Sequence, residues 1–361
     1  MQIAVYGSSL LSSYWNGAAT YYRGLLGAMA RRGHAITFFE PDAFERQQNR
    51  DIAPPDWARV VVYPATPEAV RTVLGQSGEA DVVIKCSGVG VFDDELLFGI
   101  LSAGRPGAVH AFLDVDAPAT LAELRGSDRH PLHAALPALE LVLTYGGGDP
   151  VIEAYRSFGA RACIPIYNAL DPATHHPVPP DPAWNATLSL LANRLPDREA
   201  RIEEFFLRPA AALPDQAFLL GGSGWHDKPV PANVRAIGHV PTAAHNALNV
   251  SARAVLNVAR DSMAAVGFSP ATRVFEAAGA GACLITDFWD GIELFLEPDR
   301  EILVARDGQD VAEHLRTLTP ERARAIGKAA RIRILAHHTY DRRAVLLEQV
   351  LDDALAPRVP A

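Results

Sequence analysis

The residues best suited to chemistry concentrate in one run, Gly267 to Asp287, reading G-F-S-P-A-T-R-V-F-E-A-A-G-A-G-A-C-L-I-T-D. Ser269 before Pro270 predicts a helix capped by the serine hydroxyl, with proline at its first position. The exposed N–H groups of such a helix start form an anion site, and Thr272 and Arg273 fall in its first turn. Glu276 follows as a carboxylate able to accept hydrogen bonds from hydroxyls, and Gly279 and Gly281 end the helix before a buried strand. A second candidate is Asp114-Val115-Asp116, directly after an apolar run. Two such carboxylates could hold a divalent cation across phosphates, or deprotonate a hydroxyl. Residues two apart on an extended chain project the same way.

Elements that position these residues are legible in the periodicity. Strands are predicted at Gln2–Tyr6, Ala35–Phe39, Arg59–Tyr63, Asp81–Cys86, Val109–Leu113, Glu140–Thr144 and Ala162–Ile166. Helical stretches fall between them, clearest at Ala18–Arg32, Pro67–Gln76, Asp94–Ala103 and Pro150–Phe158. Residues Asn168–Asp181 then carry Pro172, Pro177, Pro179, Pro180 and two histidines without an apolar period, which reads as a linker. Alternation resumes with strands at Thr187–Ala192, Ala217–Leu220, Val234–Ile237, Ala254–Val258, Cys283–Ile285 and Glu301–Val304. Helices are expected near Asp197–Ala212, Thr242–Val250, Pro270–Ala280 and Val311–Leu318, and closing stretches split near Pro320 and His338 run to about Leu355. The expectation is an α/β chain of two Rossmann-like domains facing across a cleft. The domains would be 1–170 and 171–336, with 337–361 a terminal helix returning to the first.

In open parallel sheets, ligands bind beyond the carboxyl ends of strands. Loops rich in glycine and hydroxyls stand there: Gly7-Ser8-Ser9 running on to Asn16-Gly17, Ser87-Gly88-Val89-Gly90, Gly146-Gly147-Gly148-Asp149 and Gly221-Gly222-Ser223-Gly224. None has dinucleotide-fingerprint spacing, and no Walker lysine occurs. Ser8, Asn16 and Gly17 are taken as an acceptor-side cleft loop, and Ser223 as part of the second-half site.

Composition narrows the classes. With 361 residues, 49% of them hydrophobic and 21% charged, both halves can bury a core. A net charge of −9 with no basic cluster argues against nucleic acid. No apolar run approaches the ~20 residues of a membrane span and no signal peptide is evident, so a cytoplasmic location is expected. Cys86, Cys163 and Cys283 lie far apart in apolar surroundings and read as buried, reduced thiols.

The run from Phe268 to Asp287 resembles the signature of the CgeB-like (spore maturation protein) glycosyltransferases. Weaker matches are N-R-L-P-D-R at Asn193–Arg198, I-G-H-V-P at Ile237–Pro241 and H-T-Y-D-R-R at His338–Arg343. The resemblance implies the GT-B fold and transfer of a sugar from a nucleotide-diphosphate sugar to an acceptor, which could be a saccharide, lipid, protein or small molecule. By the same resemblance Glu276 binds the ribose hydroxyls, and Ser269 and Ala271 to Arg273 cradle the diphosphate. Arg194 and Arg198 form a basic pair at the phosphates, and His239 and Val240 lie near the nucleobase. Eight positions before Glu276, where many retaining GT-B enzymes carry a second glutamate, stands Phe268. Within this reading Asp114 and Asp116 are the catalytic candidates, and no metal or other cofactor is expected. The competing readings are a metal-dependent GT-A transferase using Asp114 and Asp116, a nucleotide-sugar 2-epimerase on the same two-domain fold, and a donor-binding protein without catalysis.

Overall fold

The computed structural model describes residues 1–14 and 16–356, so the last five positions expected in the terminal helix lie outside the described residues. The chain divides into two compact units. One comprises residues 1–167 together with the helix Tyr340–Leu355, and the other Asn168–Thr339.

The first unit is built on a parallel sheet of seven strands: β1 (Gln2–Tyr6), β2 (Ala35–Asp42), β3 (Ala58–Pro64), β4 (Val82–Cys86), β5 (Val109–Asp114), β6 (Leu141–Thr144) and β7 (Cys163–Pro165). Their order is β3-β2-β1-β4-β5-β6-β7. The strand order reverses between β1 and β4, which is the topological switch point of a doubly wound sheet. β4 and β6 are buried at every position, because helices cover both faces and the strands carry continuous apolar runs instead of alternation. Burying each such Val, Ile or Leu contributes about 1.5–3 kcal/mol before entropy is counted. Lys85, inside β4, keeps its ammonium paired with Asp93 at 2.5 Å.

The helix Ala18–Arg31 packs on Tyr340–Leu355 by close approach at Gly24, where an added Cβ would lie 2.2 Å from the Tyr340 ring. Arg31 pairs with Asp341 at 2.7 Å, and His34 meets Glu348 at 2.9 Å.

The second unit repeats the plan with six parallel strands: β8 (Ala186–Leu191), β9 (Phe218–Gly221), β10 (Val234–Gly238), β11 (Ala252–Asn257), β12 (Leu284–Asp287) and β13 (Leu303–Ala305), ordered β10-β9-β8-β11-β12-β13. Its switch point lies between β8 and β11. Every strand expected from periodicity is present, with ends shifted by a few residues. The stretch expected as one helix from Asp197 is broken into Pro196–Ile202, a wide turn over Glu203–Leu207 and Arg208–Ala212. Pro209 lacks the N–H that an unbroken ladder needs. The helices Ala117–Gly126 and Asp261–Val266 were not expected; each is short and weakly periodic.

Asn168–Asp181 forms no helix or strand, as a linker would, yet it is held within the second unit. The Leu170 N–H donates to the His338 carbonyl at 2.8 Å, and Leu170 and His175 are 1% and 4% exposed. The three cysteines are free and buried, and burial pushes each thiol up to about 12. Among the described residues no helix is long and apolar enough to cross a membrane.

Candidate functional site

Four expectations on the first unit need correction. β5 ends at Asp114, and Asp116 adopts ψ 58° with its N–H turned back onto Asp114 Oδ1 at 3.0 Å. The two carboxylates therefore do not project together from an extended chain. Asp114 is fully buried and accepts from the Tyr155 hydroxyl at 2.5 Å and from Thr120 Oγ1 at 3.0 Å. Burial raises its pKa, only partly offset by the Tyr155 hydrogen bond. It anchors the core, while Asp116 is half-buried at the sheet's carboxyl edge.

Ser8 and Asn16 are also buried. Ser8 Oγ donates to Asn16 Oδ1 at 2.9 Å, and Asn16 Nδ2 reaches the Ser9 and Ser12 carbonyls at 2.9 Å each. They brace the loop after β1 from within. Gly17 is exposed at the start of the next helix with ordinary φ, and nothing lies within 4 Å of where a Cβ would stand. Glu40, which periodicity gave no reason to single out, holds the same loop by accepting from Leu10 N at 2.5 Å and Ser9 Oγ at 3.0 Å.

In the second unit the predicted Ser269 cap does not form. Gly267 and Phe268 have φ of 74° and 49°, and Phe268 N–H donates to the Asp290 carbonyl at 2.6 Å. A Cβ at Gly267 would meet the Asp290 Cβ at 2.8 Å, so this turn requires glycine. Ala271 is extended, the helix runs Thr272–Ala280, and no side chain caps it. Its first N–H groups, at Thr272 and Arg273, are the unfilled donors of a helix start.

Arg194 and Arg198 have different surroundings. Arg194 binds Glu199 in bidentate fashion, with both contacts at 2.8 Å, and Asp227 at 2.9 Å. These carboxylates raise its pKa and occupy its donors, which corrects the expected basic pair. Arg198 donates to the Asn193 carbonyl at 2.8 Å, and its buried Nε has no partner. Burial lowers its pKa, and the charges of Arg260 and Arg273 lower it further. The charges of Arg260 and Arg273 thus both act on Arg198, and Arg273 itself stands in the first turn of the Thr272 helix. Arg260, missed in the sequence, is held by Asp197 at 2.5 Å. Asp287, fully buried, pairs with Arg201 at 2.6 Å and accepts from Ala259 N at 3.0 Å, fixing the loop that carries Arg260.

The loops after β8 and β9 are stapled together. Ser223 N donates to Asn193 Oδ1 at 3.0 Å, and Trp225 Nε1 to the Ala192 carbonyl at 2.8 Å. Gly222, at φ 114°, leaves no room for a Cβ, which would stand 2.1 Å from the Ala192 oxygen. His239 is exposed, whereas Val240 is 3% exposed and packs with Leu219 and Leu248. The Val240 side chain is therefore core, a third correction in this unit.

Glu276 lies just over one turn into its helix with a side chain 13% exposed. Its Oε2 is 3.9 Å from Arg273 Nη1, and its Oε1 is 3.9 Å from His175 Nε2. His245 completes the group: one polar atom each of His175, His245 and Glu276 lie within 4.8 Å of one another. Burial lowers the pKa of both histidines, that of His245 to about 4, with Arg273 pushing the same way. Arg273 Nε and Nη1, His175 Nε2 and His245 Nδ1 are buried without hydrogen-bond partners. Neither histidine was singled out from the sequence, since one falls in the proline-rich stretch and the other begins an ordinary amphipathic helix. A separate cavity of about 680 Å³ lies at the opposite, amino-terminal edge of this sheet, lined by Ala186, Ala252 and Cys283 among others.

Residues 198–349, which contain Arg198, Arg260, Arg273, His245 and Glu276, match a family described as glycosyl transferase-like. That segment is similar to a glycosyltransferase domain. The fold agrees with solved structures over nearly the whole length. Sucrose-phosphate synthase from Thermosynechococcus elongatus is 15% identical with a TM-score of 0.73, covering 99% of each chain. Anabaena HepE in complex with UDP and glucose is 14% identical at TM-score 0.69, over 98% of this chain and 100% of that one. The trehalose-6-phosphate protein of E. coli bound with UDP-2-fluoro glucose is 11% identical at 0.66, covering 100% of both. At these identities the likeness is one of fold, and the fold is GT-B, with two parallel sheets of seven and six strands. The single-sheet GT-A reading is thereby overturned. No sequence among the curated proteins compared is significantly similar.

Proposed function

We propose that this chain is a glycosyltransferase that moves a sugar from a nucleotide-diphosphate sugar to an acceptor hydroxyl, with the donor held by the second unit. The observation that carries this is Arg198, acted on by the charges of Arg260 and Arg273, with Arg273 in the first turn of an uncapped helix beside the half-buried carboxylate of Glu276. As the glycosidic bond to the leaving diphosphate breaks, negative charge grows on its oxygens. Guanidinium groups and helix N–H groups already in place there stabilise that charge without reorganising. The same groups make a metal ion unnecessary for this step. Glu276 accepts from the ribose hydroxyls, and Asp116 is the carboxylate we assign to deprotonating the acceptor hydroxyl. That structures of HepE hold UDP and UDP-glucose supports a uridine donor here. The F-S-P-A-T-R-V-F-E segment supports kinship with the CgeB-like transferases, and three buried thiols suit a reducing cytoplasm. The acceptor is a saccharide, lipid, protein or small molecule bearing a free hydroxyl.

The test is incubation of the purified protein with UDP-, GDP-, dTDP- and CDP-sugars. One donor should raise the melting temperature and slowly release free nucleotide. A new epimer without nucleotide release would replace transfer with isomerisation, and binding without any turnover would make the protein a sensor.

A further inference from the structure

The four unpartnered polar atoms around Glu276 constrain what can lie there. The Val240 carbonyl can only accept, so the 3.2 Å contact from His245 Nε2 places the ring hydrogen on Nε2. Nδ1 of the same ring, buried and without a partner, is then a bare acceptor. One nitrogen of the His245 ring lies within 4.8 Å of the Glu276 carboxylate and of a His175 ring nitrogen, and 3.9 Å from that carboxylate stands Arg273, whose Nε and Nη1 are buried and unpartnered. Buried groups of this kind are rarely left unmatched.

Three ligand chemistries compete for this set. Two imidazoles and a carboxylate are a zinc-type donor set, but the fixed charge of Arg273 repels a cation and its donors would stay unmatched. A phosphate would match Arg273, yet the Glu276 carboxylate 3.9 Å from it repels the anion. Hydroxyl groups alone both donate and accept. A vicinal pair of them can donate to two acceptors while their oxygens accept from Arg273.

We propose that His245 is a specificity-determining residue of the donor site: its Nδ1 and the Glu276 carboxylate together accept the two hydroxyl hydrogens of a ribose, so that the second unit selects ribonucleotides over 2′-deoxyribonucleotides. This rests on the nucleotide-sugar reading above. The side chain recognises the sugar of the nucleotide, and the sugar being transferred plays no part in it.

Calorimetric affinities for ADP, CDP, GDP and UDP and their 2′-deoxy counterparts provide the test, in EDTA, for the native protein and three variants. The native protein should prefer the best ribonucleotide by about tenfold or more. His245→Leu removes the acceptor and should reduce that preference to a few-fold or less, chiefly by weakening the ribonucleotide. His245→Asn keeps an oxygen at the Nδ1 position and should restore it. His245→Gln, whose amide reaches the Nε2 position instead, serves as a second loss variant should the leucine variant not fold. An unchanged preference in the folded loss variants overturns the inference while leaving the nucleotide reading intact. If the native protein binds none of the eight nucleotides, the nucleotide reading fails and takes this inference with it. Binding that appears only when Zn²⁺ replaces EDTA overturns it in favour of a cation at the same three residues.

Discussion

The hydroxyl of Tyr155 donates to Asp114 Oδ2 at 2.5 Å inside the first unit, where neither residue reaches solvent. This pair ties the end of β5 to the helix Gly148–Ser157 and gives Asp114 a structural role. Asp114→Ala should lower stability by about 3 kcal/mol or more, since it strands a buried hydroxyl and two further donors. Tyr155→Phe should cost less, and urea unfolding of both singles and the double should show coupling. Nucleotide affinity measured on the folded fraction should not change. A wild-type unfolding midpoint in Asp114→Ala with transfer abolished would return Asp114 to the catalytic candidates.

Glu276 is the second unit's counterpart, with its carboxylate turned toward unpartnered groups. Removing its charge-assisted hydrogen bonds should weaken nucleotide binding by about tenfold or more. Glu276→Ala should keep its melting temperature, because the carboxylate makes no hydrogen bond closer than its 3.9 Å contacts. Titration calorimetry decides, and normal affinity in that variant would remove Glu276 from the site.

Arg194 and Arg198 separate the structural from the binding cation. Arg198→Ala should weaken diphosphate binding by about tenfold and reduce its salt dependence, because its guanidinium holds only the Asn193 carbonyl and keeps Nε free for an anion. Arg194→Ala should instead loosen the loop braced by Glu199 and Asp227, with a smaller effect on affinity. Equal losses in both would restore the basic pair expected from the sequence.

How far the sequence reached is clearest at these arginines. All thirteen strands follow from apolar runs bounded by turn residues, because a parallel sheet covered on both faces writes itself into composition. Arg198, Arg273 and Glu276 were singled out through two short motifs. Arg260, His175 and His245 were not, because each comes to the site from a different loop or helix start, and local pattern carries no record of such meetings. Asp114 was misread for a related reason. Burial depends on Tyr155 and Thr120 arriving from other elements, and a D-x-D looks the same exposed or enclosed.

Acid should destabilise the protein through its two neutral histidines. A histidine free to titrate in the unfolded chain at about 6.5 takes up a proton that His245, held near 4, refuses in the fold. Stability is therefore intact above about 6.5 and lost as pH falls toward 4, by on the order of 2 kcal/mol for His245, with His175 acting in the same direction. Asp114 and Asp287 have raised pKa values and oppose this, since their contribution is present at low pH and is lost as pH rises through their folded pKa. Urea midpoints from pH 7 to 5 in native protein and His245→Asn isolate the histidine. The variant should show the shallower fall, and parallel curves would exclude His245 as the cause.

Metal independence is the last expectation to check. Release of nucleotide from the donor should continue at the same rate in EDTA, because guanidinium groups supply the charge at the diphosphate. Loss of turnover restored by Mg²⁺ or Mn²⁺ would contradict it.

The chain leaves the first unit after Tyr167 and rejoins it at Tyr340, and the Leu170–His338 hydrogen bond sets departure and return side by side. In topological terms the second unit is an insertion into the first. During synthesis the chain that begins first is therefore completed last. Strands β1 to β7 emerge early, but the surface around Gly24 stays uncovered until Tyr340 leaves the ribosome. The inserted unit, contiguous from 168 to 339, has every strand it needs before that moment. Released chains truncated after residue 339 should thus hold a protease-resistant second unit beside a first unit that is still open to cleavage.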